Sequence, residues 1–161
     1  MNDPYKLVEI CKSLISRKDL QPNYPERGVT HCNQFIDEAL TIWMDKNTIG
    51  REFHGLMANS IVDKLAQDKD WQPFDVEDLP KYQGLISAGH PAIAGERGTG
   101  HGHVCLVIVG AAVDSGKWKC KAPLAANVGK QNWVGRGLNF AFHNKPKIWI
   151  LAGQNKNLKP S

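Results

Sequence analysis

No run of apolar residues in this sequence approaches the roughly 20 that a membrane-spanning helix needs. Membrane insertion is therefore not expected. The four cysteines, Cys11, Cys32, Cys105 and Cys120, show no C-x-x-C spacing, which argues against a zinc ribbon or a thioredoxin-type site. Lys and Arg total 20 against 16 Asp and Glu, yet the basic residues form no block and are not interleaved with aromatics. A nucleic-acid partner is not expected, although the formal charge of +4 mildly favours an anionic one. Internal repeats and low-complexity segments are absent as well. The opening Met1-Asn2-Asp3-Pro4-Tyr5 lacks a basic segment followed by an apolar stretch, so a Sec-type export signal is not expected. What remains is ordinary globular composition, 42% hydrophobic and 22% charged with 15 Gly and 9 Pro. At roughly 100–200 residues per domain, the length predicts a single domain over residues 1–161.

Helical periodicity dominates the first half. Leu7, Ile10, Cys11, Leu14 and Ile15 form one apolar stripe behind Asp3 and Pro4, and Cys11 reads as a core residue on it. A turn-rich stretch, Gln21 to Gly28, leads to a second helical stripe through Phe35, Ile36, Ala39, Leu40, Trp43 and Met44, with Thr30 as the expected N-cap. Ile61, Val62, Leu65 and Ala66 predict a third helix, capped by Asn59 or Ser60, and a fourth is expected from Val76 to Ala88. Ala92-Ile93-Ala94 is a short apolar run. His103 to Val109 is β-branched and bounded by glycines, the pattern of a buried strand. A connection over Gly110 to Lys117 and a return strand from Trp118 to Ala126 are expected next, then a hairpin of Leu138 to His143 with Lys147 to Leu151. Helices first and an antiparallel sheet after them make an α+β arrangement.

Cys32 falls in the first turn of the second helix, where free backbone N–H groups and the helix dipole favour a thiolate. It could equally begin the apolar stripe, three residues before Phe35. His103 opens the buried strand after Gly100-His101-Gly102, where glycines permit close approach. A cysteine at a helix start and a histidine at a strand start together have a specific use. The imidazole accepts the thiol proton, and N–H groups at the helix terminus stabilise the tetrahedral oxyanion.

In this context the sequence resembles the NlpC-type papain-like cell-wall peptidases, and within them the small amidase effectors of bacterial type VI secretion. The resemblance lies in His31-Cys32-Asn33-Gln34-Phe35-Ile36, in Ala58-Asn59-Ser60-Ile61-Val62-Asp63-Lys64-Leu65, in Gly102-His103-Val104-Cys105-Leu106-Val107-Ile108 and in Ala126-Asn127-Val128-Gly129-Lys130-Gln131-Asn132. These blocks stand in the family's order and span most of residues 30–132. The resemblance implies a papain-like fold without cofactor, with Cys32 as nucleophile and His103 as base. It implies hydrolysis of an amide in the peptidoglycan peptide stem or cross-link, D-Glu to diaminopimelate or diaminopimelate to D-Ala. It further implies synthesis in the cytoplasm, delivery by secretion machinery into a rival's periplasm, and a cognate immunity protein that occludes the site.

The family usually places a polar group on the next strand to orient the imidazole. A hairpin pairing Gly110 with Lys117 sets His103 opposite Leu124, flanked by Ala122 and Ala126, none of them polar. Asn127 is then the nearest candidate, reaching His103 if a bulge follows Pro123; otherwise a backbone carbonyl near Leu124 fixes the ring, and Asn127 only caps its turn. Asn33, Gln34 and Asn59 are candidates for binding substrate, or else caps and surface amides. Three alternatives stay open. His101, His103 and Cys105 alternate as a zinc-binding trio would, though without a carboxylate. The chain could instead be a phage-type or housekeeping lysin, or a non-catalytic peptidoglycan-binding module. Cys105 and Cys120, on neighbouring strands, read as core residues, with a disulfide between them open.

Overall fold

The computed structural model describes residues 2–44 and 52–152. It is a mixed α+β structure in which four α-helices, among the described residues, pack on a six-stranded antiparallel sheet. The helices are α1 (Pro4–Leu14), α2 (Cys32–Trp43), α3 (Ala58–Gln67) and α4 (Leu79–Ser87). The strands are β1 (Trp71–Asp75), β2 (Ala92–Glu96), β3 (His103–Ser115), β4 (Cys120–Asn127), β5 (Trp133–Gly137) and β6 (Lys147–Leu151), in the spatial order β1-β6-β2-β3-β4-β5. No helix among the described residues is long and apolar enough to cross a membrane.

Strand alternation divides the core into two layers. Val104, Leu106 and Ile108 of β3 face the apolar stripes of α1, α2 and α3, including Leu7, Cys11, Phe35, Ile36, Leu40 and Ile61. Cys105 and Val107 face the other way, onto Tyr82 and Ile86 of α4 and onto Leu138 and Phe142. Each such aliphatic or aromatic side chain contributes about 1.5–3 kcal/mol by leaving water. The start of α1 is fixed by the Asp3 carboxylate, which accepts the Tyr5 N–H at 2.9 Å, and the Asp3 carbonyl accepts the Trp43 indole N–H at 2.8 Å. That second bond ties the end of α2 to the start of α1.

Several boundaries differ from the sequence expectation. The N-cap of α2 is His31 rather than Thr30, and that of α3 is Met57 rather than Asn59 or Ser60. Residues 76–88 split into a 3-10 turn (Val76–Asp78) and α4, because Pro80 sits in the first turn of a new helix. β3 runs through to Ser115, which pairs with Cys120, so the turn is tighter and later than a connection beginning at Gly110. Leu138–Phe140 is a 3-10 turn, and β6 pairs with β1 and β2 rather than closing a hairpin with residues 138–143. β1 escapes the sequence pattern because Pro73 interrupts it, which is tolerated here on an edge strand.

Candidate active site

Cys32 reaches its position through the segment before α2. The Asn23 N–H donates to the Val29 carbonyl and the Asn23 side chain accepts the Gly28 N–H, both at 2.8 Å, which folds this stretch back on itself. The His31 ring donates through Nε2 to the Tyr24 carbonyl. His31 thus anchors the approach to the helix. Cys32 is the first residue of α2 and is 6% exposed. Burial pushes its thiol above the usual cysteine range, while the backbone N–H groups of Val104, Asn33 and Cys32 itself pull in the opposite direction. The outcome corrects the expectation that the helix start alone sets a low pKa: desolvation outweighs the backbone donors. The Val104 N–H belongs to the peptide joining it to His103, so the sulfur rests against the first peptide of β3.

His103 and Asn127 form a direct hydrogen bond, Nε2 to Oδ1, at 2.6 Å. The Asn127 amide has one sensible orientation, because its Nδ2 donates to the Gln131 carbonyl at 2.8 Å. Its oxygen therefore faces the imidazole, Nε2 carries the proton, and Nδ1 keeps its lone pair. Phe142 covers the ring at a centroid distance of 5.1 Å and an angle of 53°. A side chain on Gly129 would come within 3.1 Å of His103 Cε1, so glycine is what lets the 128–132 turn approach the ring. Burial lowers the His103 pKa, and the bond to Asn127 offsets this only in part, leaving a neutral imidazole.

The register explains how the pair meets. Leu106 pairs with Ala126, and the same pairing carried to the end of the strand sets His103 beside Gly129, not Leu124. Asn127 is then a diagonal neighbour of His103 on one face, and no bulge after Pro123 is needed. The irregularity lies instead between Ile108 and Val113 of β3, which displaces the pairing toward the turn. Cys105 and Cys120 are both free thiols, and they lie at opposite ends of the hairpin.

The three amides considered for substrate binding hold loops. Asn59 binds both backbone groups of Gly98, donating to the carbonyl at 3.0 Å and accepting the N–H at 3.1 Å, which closes the segment leading into His103. Asn33 donates to the Leu56 carbonyl at 2.9 Å. Gln34 donates to Asp19 and Glu38 at 3.2 Å each, inside a network organised by Arg17. The sequence offered no means of separating these uses, because an amide before a helix serves caps, loops and ligands alike. Phe142 and Gln131 were not singled out as site residues. Gln131 acts through its backbone, which no side-chain pattern reveals, and Phe142 comes from beyond β5.

Among the described residues no three His, Cys, Asp or Glu side chains converge as metal ligands. A polar depression lined by Gln67, Asp68, Asp70 and Gln72 lies at the β1 edge and includes none of the candidate residues. No protein-family model matches the chain, and no curated protein matches it.

Proposed function

We propose that this chain is a papain-like cysteine amidase of the NlpC type that cleaves an amide bond in peptidoglycan peptides, D-Glu to diaminopimelate or diaminopimelate to D-Ala. The observation that carries this reading is the hydrogen-bonded set Gln131 carbonyl, Asn127 and His103, which leaves Nδ1 as a base at the strand start against which the Cys32 sulfur rests. The four sequence blocks that resemble the cell-wall amidases supply the substrate class.

The reaction begins with a neutral thiol and a neutral imidazole, because burial disfavours both charged forms. As Cys32 Sγ attacks the carbonyl carbon, its proton passes to His103 Nδ1, and the imidazolium is held by Asn127 Oδ1. The carbonyl oxygen becomes an oxyanion, with the Cys32 N–H at the helix start as one donor. Collapse breaks the C–N bond, His103 returns the proton to the leaving amine, and a thioester remains. Water then attacks the thioester and gives one proton to His103; the C–S bond breaks, His103 returns that proton to Sγ, and the product acid leaves as a carboxylate after losing its proton to solvent. In this proposal the chain is a secreted effector whose target is a rival's periplasm, and an immunity protein that fills the site protects the producer.

The pH dependence tests the chemistry. His103 must be neutral to act as base, and its lowered pKa puts the acid limb of kcat/KM below the ordinary imidazole range of about 6.5. Cys32 stays a thiol until above its ordinary range of about 8.5, so alkylation by iodoacetamide accelerates steeply only in alkaline solution. Alkylation inactivates the enzyme, whereas chelators leave it active. Loss of activity with a chelator and recovery with zinc would reverse the assignment in favour of the His101, His103, Cys105 trio.

A further inference from the structure

β5 is an edge strand, and it carries an irregularity that turns one side chain over. Asn127 pairs with Trp133 and Ala126 with Val134, but Ala125 pairs with Arg136, so Gly135 is an extra residue in the strand. Its φ of +92° is the left-handed conformation that glycine adopts without strain. In a regular strand, residues 133 and 136 would project from opposite faces. The bulge brings Arg136 to the same face as Trp133, level with Ala125, and this is the face that holds the His103–Asn127 bond and Phe142. The side chains confirm the result: the Arg136 guanidinium lies 5.7 Å from the Trp133 ring centroid and 4.2 Å from that of Phe140.

Two properties of this group point outward. Phe140 is 58% exposed, an unusual position for a phenylalanine, and Arg136 is exposed as well. Arg17 and Arg97 each meet a carboxylate, whereas Arg136, like Arg27, has no ion pair among the described residues, and of these two Arg136 is the one set against aromatic rings. A guanidinium held by aromatic rings keeps its N–H edge free and loses less freedom when a carboxylate binds in bidentate fashion.

We infer that Arg136, set by the Gly135 bulge and flanked by Trp133 and Phe140, is a subsite for a free carboxylate of the peptide whose amide is cleaved. This rests on the proposed amidase reading. Arg136 lies two pairing positions from the level of Asn127 and four from that of His103, about 14 Å along the strands at ~3.4 Å per residue, which is the scale of four residues of an extended peptide. A stem peptide of four or five residues ends in a free carboxylate, which offers such a group at about that separation from its D-Glu to diaminopimelate amide. The unpaired edge of β5 runs beside the subsite and can hydrogen-bond an extended chain.

The test is a titration of the Cys32→Ala protein with the stem pentapeptide L-Ala-γ-D-Glu-diaminopimelyl-D-Ala-D-Ala and with the same peptide carrying a C-terminal carboxamide. The free acid is expected to bind about tenfold tighter than the amide form, as a charge-assisted bidentate contact predicts, and Arg136→Gln should abolish that difference. Arg136→Lys should restore part of it, because the charge returns without the fork. A merely structural role for Arg136 would weaken both peptides equally, and that result overturns the inference. Equal binding of the two peptides to the unaltered subsite, or binding of neither, also overturns it. The former would turn Arg136 toward a protein partner. Digestion of sacculi by the wild-type chain reports on the amidase reading separately, so the two can fail independently.

Discussion

Cys32→Ala is expected to reduce peptidoglycan hydrolysis by at least about 10⁴-fold while the protein stays folded. No other cysteine can take over the proposed role of Cys32. Cys11 and Cys105 are buried in the core, where desolvation pushes the Cys11 thiol up to about 12 and that of Cys105 well above the ordinary range. Cys120 lies at the far end of the β3–β4 hairpin. The alanine removes one sulfur from a buried position and leaves the Val104 N–H without it as acceptor, a stability cost of about 1–2 kcal/mol that circular dichroism and thermal melting would register as a modest shift. Cys32→Ser separates position from chemistry. The hydroxyl occupies the same place but resists deprotonation, so it should be nearly as inactive. Full activity in either variant would remove the cysteine mechanism.

The second large effect is expected in cells. Fused to a periplasmic signal and expressed in a Gram-negative host, the chain should lyse the culture, because the proposed substrate lies outside the cytoplasmic membrane. Expressed without that signal, it should be tolerated. Cys32→Ala and His103→Ala should each abolish lysis, since one removes the attacking atom and the other the base that takes its proton. Plating efficiency reads the difference over several orders of magnitude. Toxicity of the cytoplasmic form that persists in Cys32→Ala would point to an intracellular target or to a binding function instead. Co-expression of an immunity protein in the same compartment should protect, as expected of an effector and not of a lysin.

The α+β class and the cores of the helices were legible in the sequence because the period of 3.6 is carried by large apolar residues, as in Phe35, Ile36, Ala39, Leu40 and Trp43 of α2. Cys32 and His103 stood out because each opens an element and the two together suit thiol chemistry, although Cys32 taken alone reads equally as the start of its apolar stripe. Register was less accessible. The sequence marks His103 to Val109 and Trp118 to Ala126 as strands, but two turn signals, Gly110 and Ser115-Gly116, lie between them, so a shift of several residues is silent in the pattern. That shift decides whether His103 meets Leu124 or the Asn127–Gly129 turn. The same limit applies to Gly135, because a single glycine in a strand marks a bulge only once the neighbouring strand is known. Edge strand β1 was hidden by Pro73, and the 3-10 turn at Leu138–Phe140 resembles a strand in its apolar content.

The central claim is that an amide bond in the peptide part of peptidoglycan is broken by the Cys32 and His103 chemistry. Mass spectrometry of muropeptides from purified sacculi digested with the wild-type chain, beside sacculi treated with Cys32→Ala, measures this directly. The expected result is a new set of fragments that differ from the untreated ones by the addition of one water across a single type of peptide amide, at D-Glu to diaminopimelate or at diaminopimelate to D-Ala, and absent from the Cys32→Ala digest. Unchanged muropeptides, or fragments cut in the glycan strand, would contradict the claim.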